Sequence, residues 1–144
     1  AHAASQAASD TRAWQPWQPE RIAEELERGR PVFVAFSADW CITCKANERF
    51  VLARPRVESE LARLDFATFK ADWTRRDEDI RLQLARFGKA GVPLYLVYDP
   101  AAPDEPQVLS EILGVDEVLA ALRRAGARSG SQSVAVQTMN GAPR

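Results

Sequence analysis

Short apolar runs alternate with longer amphipathic stretches along this chain. In "QPERIAEELERG" (residues 18–29), Pro19 stands where a helix can start, Ile22, Ala23 and Leu26 share one face, and Gly29 stands where the helix can stop. The next segment, "PVFVAF" (31–36), is continuously apolar and rich in β-branched and aromatic residues, the pattern of a strand covered on both faces. Helix formers dominate from Cys41 to about Leu52. A break is expected near Pro55, and Val57, Leu61 and Leu64 carry a helical stripe beyond it. "FATFKA" (66–71) reads as a second buried strand. Thr74, followed three residues later by Asp77, is a capping signal for a helix with its core face at Ile80, Leu84 and Phe87 and its stop at Gly88. The remainder reads as a strand "VPLYLVYD", a Pro-rich turn "PAAPDEP", a strand "VLSEIL", and a helix with Val115, Val118, Leu119 and Leu122 inward.

That order, helix, then β-α-β, helix, then β-β-α, predicts an α/β fold with one central mixed sheet and helices on both faces. A parallel pair is joined by a right-handed crossover, with an antiparallel hairpin beside it. The predicted domain runs from Trp14 to Gly126. Residues 1–13 and 127–144 are small and polar without periodicity and are expected to be flexible flanks. With 144 residues, 46% hydrophobic and 27% charged, one ordinary core is expected.

Nineteen basic and twenty acidic residues leave a formal charge of −1 without a basic block, which argues against a nucleic acid or an anionic membrane as partner. No apolar run approaches the roughly 20 residues that span a bilayer, and no signal-peptide pattern opens the chain. The chain does not begin with Met, so an excised or processed fragment is expected.

The chemistry concentrates in "FSADWCITCK", which holds the only two cysteines, Cys41 and Cys44. Cys41 falls at a strand-to-helix junction, where its sulfur faces the unpaired N–H groups of the first turn, an arrangement that favours a thiolate. Cys44, one turn on, shares its side of the helix. A structural staple is one reading, but closing two intervening residues removes little chain entropy. A zinc site needs four ligands, and the sole histidine is His2 in the N-terminal flank. The same shortage argues against a Cys-His hydrolase. Two thiolates can also hold Cu(I), a non-enzymatic alternative. The simplest reading is a dithiol that cycles to a disulfide, with no cofactor and no bound metal.

"ADWCITCKANE", together with "KADWTRRD" and "FGKAGVPLYLVYD", resembles thioredoxin-like domains, in particular the C-terminal domain of the DsbD family of thiol:disulfide interchange proteins, from about Trp17 to Ala125. "CITCK" with "DWT" resembles a copper-tolerance-associated branch of it. The resemblance implies a thioredoxin fold facing the periplasm, as a domain of an inner-membrane protein. It also implies a protein-disulfide reductase that relays electrons from a transmembrane donor domain, of the same or a partner protein, to protein thiols and disulfides. Disulfide oxidase or isomerase activity is the enzymatic alternative; a monomer is expected.

By position, Cys41 is the attacking sulfur and Cys44 the more enclosed, resolving one. Ile42 and Thr43 carry no charge, whereas strongly oxidising relatives place a histidine between the cysteines, so a reductant is expected. Trp40 reads either as a core aromatic or as a flat wall of the substrate groove, and Asp39 as a solvated or capping carboxylate. Asp72 and Trp73 read as strand-end and core residues. Pro93 alone reads as an edge-strand proline. The resemblance makes the Val92–Pro93 bond cis and sets Pro93 against the cysteines, with the Val92 backbone offered to substrate. The pattern also puts a buried aspartate six residues before the attacking cysteine, where this chain has Ala35. Glu48 matches the family's second acidic position. It reads either as a solvated carboxylate facing Lys45 or as a partly buried acid beneath the pair, able to accept the Cys44 proton.

Overall fold

The computed structural model describes residues 14–126. The expected flanks 1–13 and 127–144, and with them His2, lie outside the described residues. The elements are β1 (Gln15–Pro16), α1 (Pro19–Glu27), β2 (Val32–Ser37), α2 (Ile42–Asn47), a π-helical turn (Glu48–Leu52), α3 (Pro55–Arg63), β3 (Ala67–Asp72), α4 (Glu78–Arg86), β4 (Leu94–Asp99), β5 (Ala102–Val108) and α5 (115–126).

The sheet order is β1-β3-β2-β4-β5. Strand β3 runs parallel to both β1 and β2, while β4 is antiparallel to β2 and β5. Every residue of β2 is buried, as its unbroken apolar run requires of a central strand covered on both sides. Alternation along β2 feeds two cores. Phe33 and Ala35 face α3, α5 and the π-helical turn, with Tyr95, Val51, Val57 and Leu122. Val32, Val34 and Phe36 face α1 and α4, with Phe69, Ile80, Leu84 and Leu96.

Pro19 opens α1, and Gly29 follows it with φ +83°, a backbone region that glycine enters without the Cβ penalty. Ala23, expected inward, is exposed. In the next turn Glu25 is buried instead, held by Arg21 at 3.3 Å and Arg30 at 3.2 Å.

Further expectations are corrected. The helix read from Cys41 to Leu52 is not uniform: it changes to π geometry at Glu48, where the Ala53 N–H reaches back five residues to the Glu48 carbonyl at 2.9 Å. Thr74 does not cap the following helix, because α4 starts only at Glu78 and its N-cap is Asp77. The expected "PAAPDEP" turn is mostly strand β5, and the expected "VLSEIL" strand is mostly the loop 109–114. Pro103 and Pro106 are tolerated in β5 because it pairs on one side only, so their missing N–H groups break no second ladder. The two-residue β1 has no counterpart in the sequence pattern.

Candidate functional site

The site forms where β2 ends and α2 begins. Cys41 is the N-cap of α2, in extended geometry. Its N–H donates to the Ala38 carbonyl at 3.1 Å, and its Sγ accepts the Cys44 N–H at 3.1 Å. That bond satisfies one of the first-turn donors that a helix leaves unpaired. Cys41 and Cys44 are joined as a disulfide, with Cα atoms 5.3 Å apart. Cys44 is fully buried while Cys41 is 8% exposed, so solvent reaches only the first of the two.

Ala38, Cys41 and Cys44 form a small apolar cluster, and Val92 packs against it. The Val92–Pro93 peptide is cis, and Pro93 is buried at the start of β4. The chain therefore brings together Cys41, Cys44 and Val92 from segments some fifty residues apart.

Trp40 is not a core aromatic: it is 45% exposed at the rim. Its indole N–H donates to the Thr74 carbonyl at 3.1 Å, and its ring lies 6.0 Å from that of Trp73, which is buried. The Arg76 guanidinium sits 4.4 Å over the Trp40 ring and 5.4 Å from the Trp73 ring. Asp39 is exposed, and its backbone N–H donates to the Thr74 hydroxyl at 2.8 Å. Thr74 in turn gives its hydroxyl and N–H to Asp72, holding that carboxyl below its ordinary range. The loop 73–77 thus clamps the two residues that precede Cys41. Nothing in the spacing points to Arg76, and the sequence pattern around Thr74 suggests only a helix cap.

Glu48 is one-third exposed. Its carboxylate does not pair with Lys45 as one expectation had it. It accepts the Ser37 hydroxyl at 2.8 Å and lies 3.5 Å from the Lys70 ammonium. Lys70 is in register with Ala35 across β2 and β3, so the cation that meets Glu48 stands beside the position where the family pattern has its buried aspartate. Ala35, Glu48 and Lys70 line a cleft of about 350 Å³ together with Trp14, Leu52 and Glu58.

Behind the cysteines, Asn47 is buried. Its amide donates to the Tyr95 hydroxyl at 2.9 Å and the Glu111 carbonyl at 2.7 Å, and accepts the Leu113 N–H at 3.0 Å. Burial pushes the Tyr95 hydroxyl up to about 12. Among the described residues no group of three or more His, Cys, Asp or Glu side chains is placed to hold a metal ion, and no helix is long and apolar enough to cross a membrane. Two sulfurs that close across one helical turn, with only one open to a partner, can exchange a disulfide in two sequential displacements.

Similar proteins are known in both sequence and structure. The chain is 35% identical over 106 residues to the thiol:disulfide interchange protein DsbD of Ralstonia nicotianae, a match covering 74% of this chain and 17% of that protein. It is 37% identical over 109 residues to the thiol:disulfide interchange protein DsbD 1 of Pseudomonas aeruginosa, covering 74% and 18%. The chain thus spans less than a fifth of the length of these relatives. Its fold matches the oxidised C-terminal domain of Neisseria meningitidis DsbD with a TM-score of 0.60 at 20% identity, over 77% of this chain and 98% of that one. It also matches a Thermus thermophilus thioredoxin with a TM-score of 0.62 at 25% identity, over 83% and 91%. The thioredoxin-like family model matches residues 13–100, and the chain belongs to the thioredoxin-like family.

Proposed function

We propose that this chain is a thiol-disulfide exchange domain acting as a protein-disulfide reductase within a longer DsbD-like protein. The observation that carries this reading is the Cys41–Cys44 disulfide, with Cys44 fully enclosed and Cys41, beside Val92, the slightly exposed sulfur of the two.

In the reduced protein the Cys41 thiolate attacks one sulfur of a substrate disulfide, forming a mixed disulfide and releasing the first substrate thiolate. The Cys44 thiol then gives up its proton and attacks the Cys41 sulfur. The bond to substrate breaks, the second substrate thiolate leaves, and the Cys41–Cys44 bridge forms, so two electrons pass to the substrate. The Cys44 N–H that meets the Cys41 sulfur supports thiolate character there. Glu48 is assigned as acceptor of the Cys44 proton, in the absence of an acid at Ala35. Trp40 provides a flat wall, and the Val92 backbone lies where an extended substrate segment passes. The electron donor is a transmembrane domain of the longer protein, the acceptors are protein disulfides, and the domain faces the periplasm.

The test is the reduction potential of the Cys41–Cys44 pair, measured by equilibration with glutathione. Dithiols on this fold range from about −270 mV to about −120 mV, and a reductase belongs near the lower end. A potential near the upper end overturns the reductase reading in favour of an oxidase. Loss of exchange activity together with tight Cu(I) uptake would instead support a metal-binding dithiol.

A further inference from the structure

Strand β2 places Ala35 and Ser37 two residues apart and therefore on the same face of the sheet, the face that holds the π-helical turn. Ser37 is only 3% exposed, and its hydroxyl is donated to the Glu48 carboxylate at 2.8 Å. A buried hydroxyl needs a partner, and here a charged one is supplied from another element. Glu48 is tied at both ends. Its N–H bonds to the Cys44 and Lys45 carbonyls, fixing its backbone to the cysteine helix, while its side chain is fixed to the strand that leads into Cys41.

The π-helical turn begins at Glu48, and turns of this kind recur at functional sites. The methyl group of Ala35 leaves the neighbouring cleft open, so no side chain at that position confines the carboxylate. Lys70 lies farther away, at 3.5 Å, and is 42% exposed on a long flexible stem, so it attracts the carboxylate without fixing its direction. Ser37 is the short, buried contact of the two.

We infer that Ser37 is a positioning residue for the exchange reaction, its hydroxyl holding the Glu48 carboxylate beside the cysteine helix in place of the acid that Ala35 does not provide. The inference rests on the proposed role of Glu48 as proton acceptor. Without the hydroxyl, the carboxylate is left to Lys70 and swings into the cleft, and the resolving step loses its oriented base. The attack by Cys41 does not pass through this contact.

The experiment uses the reduced 144-residue chain and a neutral small disulfide, hydroxyethyl disulfide, in quenched-flow mixing from pH 5 to 9. Formation and resolution of the mixed disulfide are followed separately by mass. A positioned base contributes on the order of 100-fold or more, and partial misplacement is expected to forfeit a fraction of that: Ser37→Ala slows resolution about fivefold near pH 7 and leaves the attack step within about twofold. Ser37→Thr, which keeps the hydroxyl, restores resolution. The double variant Ser37→Ala with Glu48→Gln is no slower than Glu48→Gln alone, because the two side chains act through one contact. If Glu48→Gln slows resolution but Ser37→Ala tracks wild type across the pH range, or if the two losses multiply, the role of Ser37 is wrong while that of Glu48 stands. If Glu48→Gln leaves both steps unchanged, the reading of Glu48 fails and Ser37 has no base to position.

Discussion

Asn47 donates its side-chain amide to the hydroxyl of Tyr95 at 2.9 Å, joining the last residue of the cysteine helix to the middle of the sheet. The same side chain holds the Glu111 carbonyl and the Leu113 N–H, so one amide fixes α2 to the loop 109–114. Asn47→Ala leaves these polar groups without their partner in a buried place, and an unsatisfied buried group costs about 1–3 kcal/mol. Asn47→Ala is therefore expected to lower unfolding stability by about 2–3 kcal/mol in urea titration. Tyr95→Phe, after which the amide still has Glu111, is expected to cost only about 1 kcal/mol. Equal, small losses in both variants would show that the bridge does not hold the loop.

Glu60 gives a pH-dependent contribution where α3 meets α5. It is buried between two cations: Arg63 on its own helix, at 3.0 and 2.7 Å, and Arg123 on α5, at 2.8 Å. The Arg63 hydrogen bonds, then that from Arg123, hold its carboxyl down to about 2. The folded value lies below the unfolded one near 4.3, so the stabilisation is complete above that value and is lost as pH falls through about 2. Both arginines are more than half exposed, which screens the pair, so Glu60→Gln is expected to cost about 1 kcal/mol at pH 7. Denaturant midpoints of the two proteins should converge between about pH 5 and pH 2. A gap at pH 2 as large as that at pH 7 would assign the loss to packing rather than charge.

The roles of the two cysteines separate cleanly in trapping. Because Cys44 is fully buried and only Cys41 retains some exposure, Cys44→Ala should accumulate mixed disulfides with partner thiols, seen as reducible bands of higher mass. Cys41→Ala should not. Equal trapping by both variants would reverse or abolish the assignment.

What the chain reveals in one dimension follows how local the cause is. The burial of β2 is written in "PVFVAF", and the limits of α1 in Pro19 and Gly29, because strand coverage and helix ends depend on neighbouring residues. The spacing of Cys41 and Cys44 likewise fixes their shared turn. Strand β5 is not legible in the sequence because Pro103 and Pro106 signal a turn unless the strand is known to lie at an edge, which is a property of the sheet. Helical spacing allows Glu48 to lie beneath the pair or to face Lys45, but its partners Ser37 and Lys70 come from two strands. A helix-based reading could offer only Lys45. Ser37 carried a signal after all: it is a hydroxyl at the end of an otherwise apolar buried strand, and such a group requires a partner.

The contact between Arg76 and Trp40 leads to a last expectation. Arg76 has φ +56°, a conformation that costs a non-glycine residue roughly 1 kcal/mol. Its guanidinium lies over the Trp40 ring, a contact worth about 0.5–1 kcal/mol at an exposed site. The two contributions oppose each other. Arg76→Gly removes both and should leave stability within about 0.5 kcal/mol of wild type, whereas Arg76→Ala loses the contact, keeps the unfavourable backbone and should cost about 0.5–1 kcal/mol. Both variants uncover the indole, so acrylamide should quench Trp40 fluorescence more strongly in each, measured as the difference from matched Trp40→Phe proteins. If Arg76→Gly is as destabilised as Arg76→Ala, the backbone at position 76 is not under strain. If quenching is unchanged in both, the guanidinium does not shield the Trp40 ring in solution.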